Sequence, residues 1–228
     1  MPSKTRSKKY RQAQEIMPEG KVSVAEAVKA LKEFPASKFD QTIELSIHLG
    51  IDPRQADQAL RGAISLPNGI GTTRKVIVFC EGDDNIAQAK EAGAIEAGGD
   101  ELIKKIQDGW MDFDVAISMP AMMRSVSRLG RVLGPQGKMP SPKAGTVVDE
   151  VAPAVKDYAA GKVEYRNDDG GNLHVAVGKV SFEPQKLVEN IEFFIDYIRR
   201  LRPPSTKGIF MRKVAVSATM SPAMELAV

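Results

Sequence analysis

Cysteine is nearly missing from this chain: Cys80 is the only one in 228 residues. A lone cysteine excludes an internal disulfide framework, and its position inside the apolar run KVIVFC assigns it to the core. Histidine is almost as scarce. His48 and His174 stand more than a hundred residues apart with no cysteine or paired acid at ligand spacing, which removes metal binding from the expected functions. Long apolar runs are missing too, since VIVFC and VAISM fall far short of the ~20 residues of a membrane-spanning helix. The polar, basic N-terminus does not read as a signal peptide, so the expected compartment is the cytoplasm, with no membrane partner.

The glycine signatures of nucleotide chemistry are also absent. The stretch GRVLGPQGKMPSPKAGTV, residues 130–147, holds four glycines, three prolines and the cations Arg131, Lys138 and Lys143. A phosphate loop needs glycine five residues before its Gly-Lys pair and Ser or Thr after the lysine, yet Val132 and Met139 stand there. Its prolines also remove N–H donors of the kind that cradle phosphate. The stretch GIGTTR from Gly69 lacks the third glycine of the dinucleotide fingerprint, and Cys80, Asp83 and Asp84 lack the partners of an activated nucleophile. No enzyme and no cofactor is expected. The alternative, a small-ligand or nucleotide-binding enzyme built on the middle third, has the missing glycine signature against it.

What is present is an ordinary globular composition, 43% hydrophobic and 27% charged, in a chain long enough for one large or two small domains. The net charge of +3 hides a contrast between segments. Residues 1–11 carry five cations and no acid, residues 12–69 six cations against eight acids, and residues 161–228 ten against eight. The terminal parts therefore hold +5, while residues 70–160, with eleven cations against thirteen acids, hold −2. A basic arm beside a mixed-charge body suits an anionic polymer partner.

Two kinds of periodicity divide the chain. In the middle, the buried runs KVIVFC, AIEA and VAISM alternate with helices expected over 85–92, 100–107 and from Pro120, which predicts a parallel sheet covered on both faces. In the flanks, Ile43, Leu45, Ile47 and Leu49 alternate with Thr42, Glu44, Ser46 and His48, and Val214, Val216, Ala218 and Met220 alternate with polar or small residues. These predict half-exposed antiparallel strands. A capping box at Ser23 and Glu26 opens one covering helix. An apolar stripe from Leu187 to Leu201 marks a second over 184–202, ending in arginines that complement the helix dipole before a Pro-Pro stop. The fold class is therefore α/β; if the flanks, residues 1–69 and 161–228, join in one mainly antiparallel sheet they make a split-chain α/β domain, and residues 70–160 an inserted three-layer domain of nucleotide-fold type. LPNGIG (66–71) and AAGK (159–162) mark the crossings, with Gly69, Gly71 and Gly161 as hinge residues. His174, after the turn NDDGG, reads as a hydrogen-bonded structural histidine.

Seven segments in chain order, KFDQTIEL, GIDPRQADQALRG, LPNGIG, DGWMDFDVAISMPAMM, LGRVLGPQGKMPSPKAGTV, VEYRNDDGGNLHVAVGKVSF and ATMSP, resemble the bacterial form of the ribosomal protein L-one family, which sits in the mobile stalk of the large subunit. The resemblance covers nearly the whole chain. It implies the split and inserted domains, binding to large-subunit ribosomal RNA, and movement of the stalk with deacylated tRNA leaving the exit site. It also implies repression of the protein's own mRNA, a monomer when free, and no catalysis.

By that resemblance the RNA-binding residues are Lys38, Phe39, Thr42 and Glu44 on the first long strand, and Ser217, Thr219, Met220 and Ser221 near the C-terminus. Ser221 stands where the family has glycine, adding a Cβ and a hydroxyl. Arg131, Lys138 and Lys143 offer secondary RNA or tRNA contacts on a rigid, exposed loop. Thr42 and Glu44 share the polar side of their strand, while Phe39 reads either as core, the commoner role of an aromatic next to a strand start, or as a platform for a base or ribose.

Overall fold

A computed structural model describes residues 6–35, 37–55 and 57–228, so Lys4 of the basic arm lies outside the described residues. The chain opens with α1 (Lys8–Ile16), α2 (Val24–Glu33), β1 (Thr42–Leu49) and β2 (Arg61–Ile64). The middle adds β3 (Val76–Phe79), α3 (Asp83–Glu91), β4 (Glu96–Gly98), α4 (Asp100–Gln107), β5 (Val115–Ser118), α5 (Met123–Val126), α6 (Gly130–Leu133) and α7 (Val151–Ala159), with 3₁₀ turns at Pro120–Met122, Ser127–Leu129 and Pro142–Ala144. The chain closes with β6 (Val163–Arg166), β7 (Asn172–Lys179), α8 (Pro184–Arg200), β8 (Met211–Ala218) and β9 (Met224–Glu225). The fold is α/β, with antiparallel and parallel sheets both covered by helices. One compact unit takes the described residues up to Leu60, Leu66–Gly71 and Tyr165–Val228; the other takes Arg61–Ser65 and Thr72–Glu164. A two-stranded ribbon of β2 and β6 lies where the chain crosses.

The first unit is built on a four-stranded sheet in the order β7-β1-β8-β9, every neighbour antiparallel. Its central strand shows why the register is fixed. Ile43, Leu45, Ile47 and Leu49 are at most 1% exposed, each worth about 1.5–3 kcal/mol relative to an exposed position. A one-residue slip would exchange them for Thr42, Glu44, Ser46 and His48. Helices α2 and α8 pack on each other and on this apolar face. The Ser23 hydroxyl accepts from the Glu26 N–H while the Glu26 carboxylate accepts from Ser23, the reciprocal cap that starts α2. Leu187, Ile191, Phe194, Ile195 and Ile198 form the buried stripe of α8.

Helix α1 begins inside the basic arm, started by the Ser7 hydroxyl accepting from the Tyr10 N–H. Two local expectations change. The first long strand begins at Thr42, leaving Phe39 in the preceding turn. The C-terminal strand stops at Ala218, because the Ser221 N–H donates to the Ala218 carbonyl (3.0 Å) and closes a turn over Thr219 and Met220.

In the second unit a parallel sheet in the order β4-β3-β5 has its central strand buried throughout. Val76, Val78 and Cys80 face one core with α3 and α7, and Ile77 and Phe79 face another with α4 and the helical run over 120–133. Three layers follow directly from these opposed faces. Burial pushes the Cys80 thiol above its ordinary range, as suits a core cysteine.

Candidate nucleic-acid interface

Antiparallel pairing of Ile43 with Ala218 places the chain entering β1 beside the chain leaving β8. The Thr219 N–H donates to the Thr42 carbonyl (3.1 Å), and the Thr219 hydroxyl accepts from the Thr42 N–H (3.2 Å). The Met220 N–H donates to Gln41 Oε1 (2.9 Å). Ser221 Oγ accepts from the Ala218 N–H (2.8 Å), so its hydroxyl secures the turn, and no non-glycine residue described has a positive φ. Serine thus fits where the family pattern has glycine. Residues 34, 35 and 37–39 together with α1 complete a cleft of about 350 Å³, lined by Lys9, Phe34, Lys38, Phe39, Met220 and Ser221 among others.

Two apolar side chains in this region are not used for folding. Phe39 is 53% exposed and Met220 65% exposed, so Phe39 is not core. Lys38 is exposed beside them. Thr42, Glu44, Ser46 and His48 line the open face of β1, with Ser217 opposite Glu44 and Lys213 opposite His48. The structure therefore places Lys38, Phe39, Met220 and Ser221 at the cleft and Glu44 with Ser217 on the open sheet face, the two groups meeting where Thr219 bonds to Thr42. The hydroxyl of Thr219 is already committed to the Thr42 backbone, which makes its first role the holding of this turn.

Sequence reasoning missed Lys179. Strand parity puts residue 179 on the buried face, but a β-bulge opposite Ile43 and Glu44 inserts one residue and turns it over. Lys179 Nζ then donates to Thr42 Oγ1 (2.7 Å). The signal was Gly178, a glycine inside a strand; a Cβ there would meet Leu187 Cδ2 at 2.8 Å. His174 proves to be an exposed member of the open face, its Nδ1 3.1 Å from Ser46 Oγ. Nearby, hydrogen bonds from Asn172 hold the Asp168 carboxyl below the usual carboxylate range.

The second unit carries the loop cations. Arg131 lies exposed on α6 and Lys143 exposed in the turn Pro142–Ala144. Lys138 differs, because its ammonium donates to the carbonyls of Met111 and Phe113 and sits over the Phe113 ring. The loop itself is fixed: the Ser141 N–H donates to Thr146 Oγ1 (2.8 Å), Tyr158 Oη donates to the Ala144 carbonyl (2.8 Å), and Gly145 turns the chain at φ 69°.

The three hinge glycines have local structural roles. Gly69 is held by Asn190, a fully buried side chain that accepts from the Asn68 N–H and donates to the carbonyls of Gly69 and Val177. A Cβ on Gly71 would lie 2.6 Å from the Phe182 ring. Gly161, at φ 100°, ends α7: its N–H donates to the Tyr158 carbonyl and the Lys162 N–H to that of Asp157.

No group of three or more potential metal ligands occurs among the described residues, and no described helix is long and apolar enough to cross a membrane. A family profile described as the ribosomal protein L1p/L10e family matches residues 31–222. The chain is 50% identical over 222 residues to the large ribosomal subunit protein uL1 of Kosmotoga olearia, covering 97% of this chain and 96% of that protein. It is 53% identical over 204 residues to the protein of the same name from Lactobacillus johnsonii, covering 90% and 88%. Identity is 47% over 219 residues to that of Maridesulfovibrio salexigens, covering 96% and 93%. With the matched residues spanning both units, this chain belongs to the ribosomal protein L1p/L10e family, a family of ribosomal proteins and not of enzymes.

Proposed function

We propose that this chain is a structural constituent of the large ribosomal subunit that binds large-subunit ribosomal RNA through the first unit. In this reading the terminal segments form a split RNA-binding domain, and the middle of the chain is an inserted domain. One observation carries it: Phe39 and Met220, far apart in sequence, stand exposed together at a cleft with Lys38 on its rim. An apolar platform beside cations suits an unstacked base or ribose held near phosphate. Glu44 serves as an acceptor for a ribose hydroxyl or base amine, since it repels phosphate. On the family resemblance the same surface takes the protein's own mRNA. Movement with deacylated tRNA is assigned to the inserted domain and the chain crossings beside Gly71 and Gly161.

The test is titration of the purified chain with fragments of large-subunit RNA and with an unrelated RNA duplex. Phe39→Ala and Met220→Ala remove exposed side chains, so thermal stability should hold while affinity for the cognate fragment falls by about 1–3 kcal/mol each. Binding to the duplex should change little. Cognate preference unaltered in both variants would move the recognition surface elsewhere.

A further inference from the structure

We propose that Arg124, Arg128 and Arg131 form a second RNA-contacting surface, a row on the other unit that takes the phosphodiester backbone without reading sequence. The inference rests on the RNA-binding reading above. Over the helical run 120–133 the buried side chains are Met122, Val126, Leu129 and Leu133. The arginines follow the first three of these by two residues each, and at about 100° per residue that is about 200° around the axis. They therefore project directly away from the core, roughly one turn apart, and all three are exposed.

The charge around them is segregated. From Val115 to Val148 there are five cations and no acid, whereas the remainder of residues 70–160 holds six cations against thirteen acids. Four of the unit's other cations are matched to carboxylates, all of them outside residues 115–148: Lys75 with Asp112, Lys105 with Glu96, Lys162 with Asp157, and Arg61 with Glu164. None of the three arginines has an ion pair with any described residue.

Gly130, between Arg128 and Arg131, adds an independent observation. It has an ordinary helical φ of −56°, and a Cβ there would meet nothing within 4 Å. Neither conformation nor packing requires glycine, although glycine weakens a helix. Its bare backbone keeps the surface low beside the row, which suits close approach by a partner.

The chemistry favours RNA among polyanions. Guanidinium groups match phosphate oxygens in paired hydrogen bonds. A membrane surface would need an apolar face next to the cations, but the apolar side of this run is buried in the core. No large apolar anchor lies in the row to seat an acidic protein.

The experiment uses the full chain and measures affinity for an unrelated RNA duplex across a salt series. In Arg124→Gln/Arg128→Gln/Arg131→Gln the slope of log affinity against log salt should shrink by about 2–3, the value for three released counterions. The corresponding triple lysine variant keeps the charge and should keep the wild-type slope, with the melting temperature unchanged in both. A wild-type slope in the glutamine variant, while the wild type binds the duplex, would overturn the row and leave the cleft reading intact. Failure of the wild type to bind any RNA would overturn the proposed function and this inference together. Arginine-dependent binding to polyglutamate as tight as to duplex would reassign the row to an acidic protein.

Discussion

Tyr158 shows how much one polar atom can fix. It is 1% exposed, and its hydroxyl donates to the Ala144 carbonyl, tying α7 to the turn that presents Lys143. Burial, helped by the Glu164 charge, pushes its phenol up to about 12. The ordinary phenol value is near 10, so the folded state holds this proton more tightly than the unfolded chain. The stabilisation is complete below about pH 10 and is lost as pH rises towards about 12, on the order of 1 kcal/mol per pH unit. Burial also holds the Tyr165 phenol high, so stability measured by denaturant titration across that window should fall in both chains, and by about this slope less in Tyr158→Phe than in the native chain. At neutral pH the same variant should lose about 1 kcal/mol for the missing hydrogen bond. Residues of this kind were not legible in the sequence. The stripe of α8 was, because apolar spacing reports which side faces the core. Asn190 within that stripe and Lys138 in the loop were not, because their partners, Asn68 and Gly69 or Met111 and Phe113, come from distant segments.

Among the elements, those with a strong period were legible and those with mixed signals were not. The helix expected over 100–107 matches α4, and the buried runs at 75–80 and 115–119 contain β3 and β5. Helix α7 was missed because Pro153 looks like a breaker. It sits at the third helical position, where the N–H would have no intrahelical partner, so its ring costs nothing there. The end of α7 then depends on Gly161, whose left-handed φ an alanine adopts only at a cost of about 1 kcal/mol or more. Gly161→Ala should lower the stability of the second unit by that amount. Gly161→Pro should lower it further, because it also removes the N–H that bonds to Tyr158. Neither should change affinity for the cognate RNA fragment, since the proposed cleft lies in the first unit. Equal losses of stability in both units under Gly161→Ala would mean that this cap supports more than its own helix.

At the scale of the whole molecule, the two periodicities correspond to two separate cores with different logic. The first unit buries one face of an antiparallel sheet under two helices and leaves the other face polar, which is how it can offer Thr42, Glu44, Ser46 and Ser217 to a partner. The second buries both faces of its sheet, so anything it offers must come from helix exteriors and loops, where the arginine row lies. Chain order hides this division, because Leu66–Gly71 belongs to the first unit and Arg61–Ser65 to the second. If each core is its own cooperative unit, a cavity in one should loosen that unit alone. Phe194→Ala in the first core and Ile117→Ala in the second each remove a fully buried side chain and should cost about 3–5 and 2–5 kcal/mol respectively. Native-state hydrogen exchange can read the two separately. Phe194→Ala should speed exchange in β1, β7 and β8 while β3 and β5 keep their protection, and Ile117→Ala should do the reverse. Loss of protection across all five strands in either variant would show one cooperative fold, and the split-domain reading on which the placement of the RNA surface rests would fail.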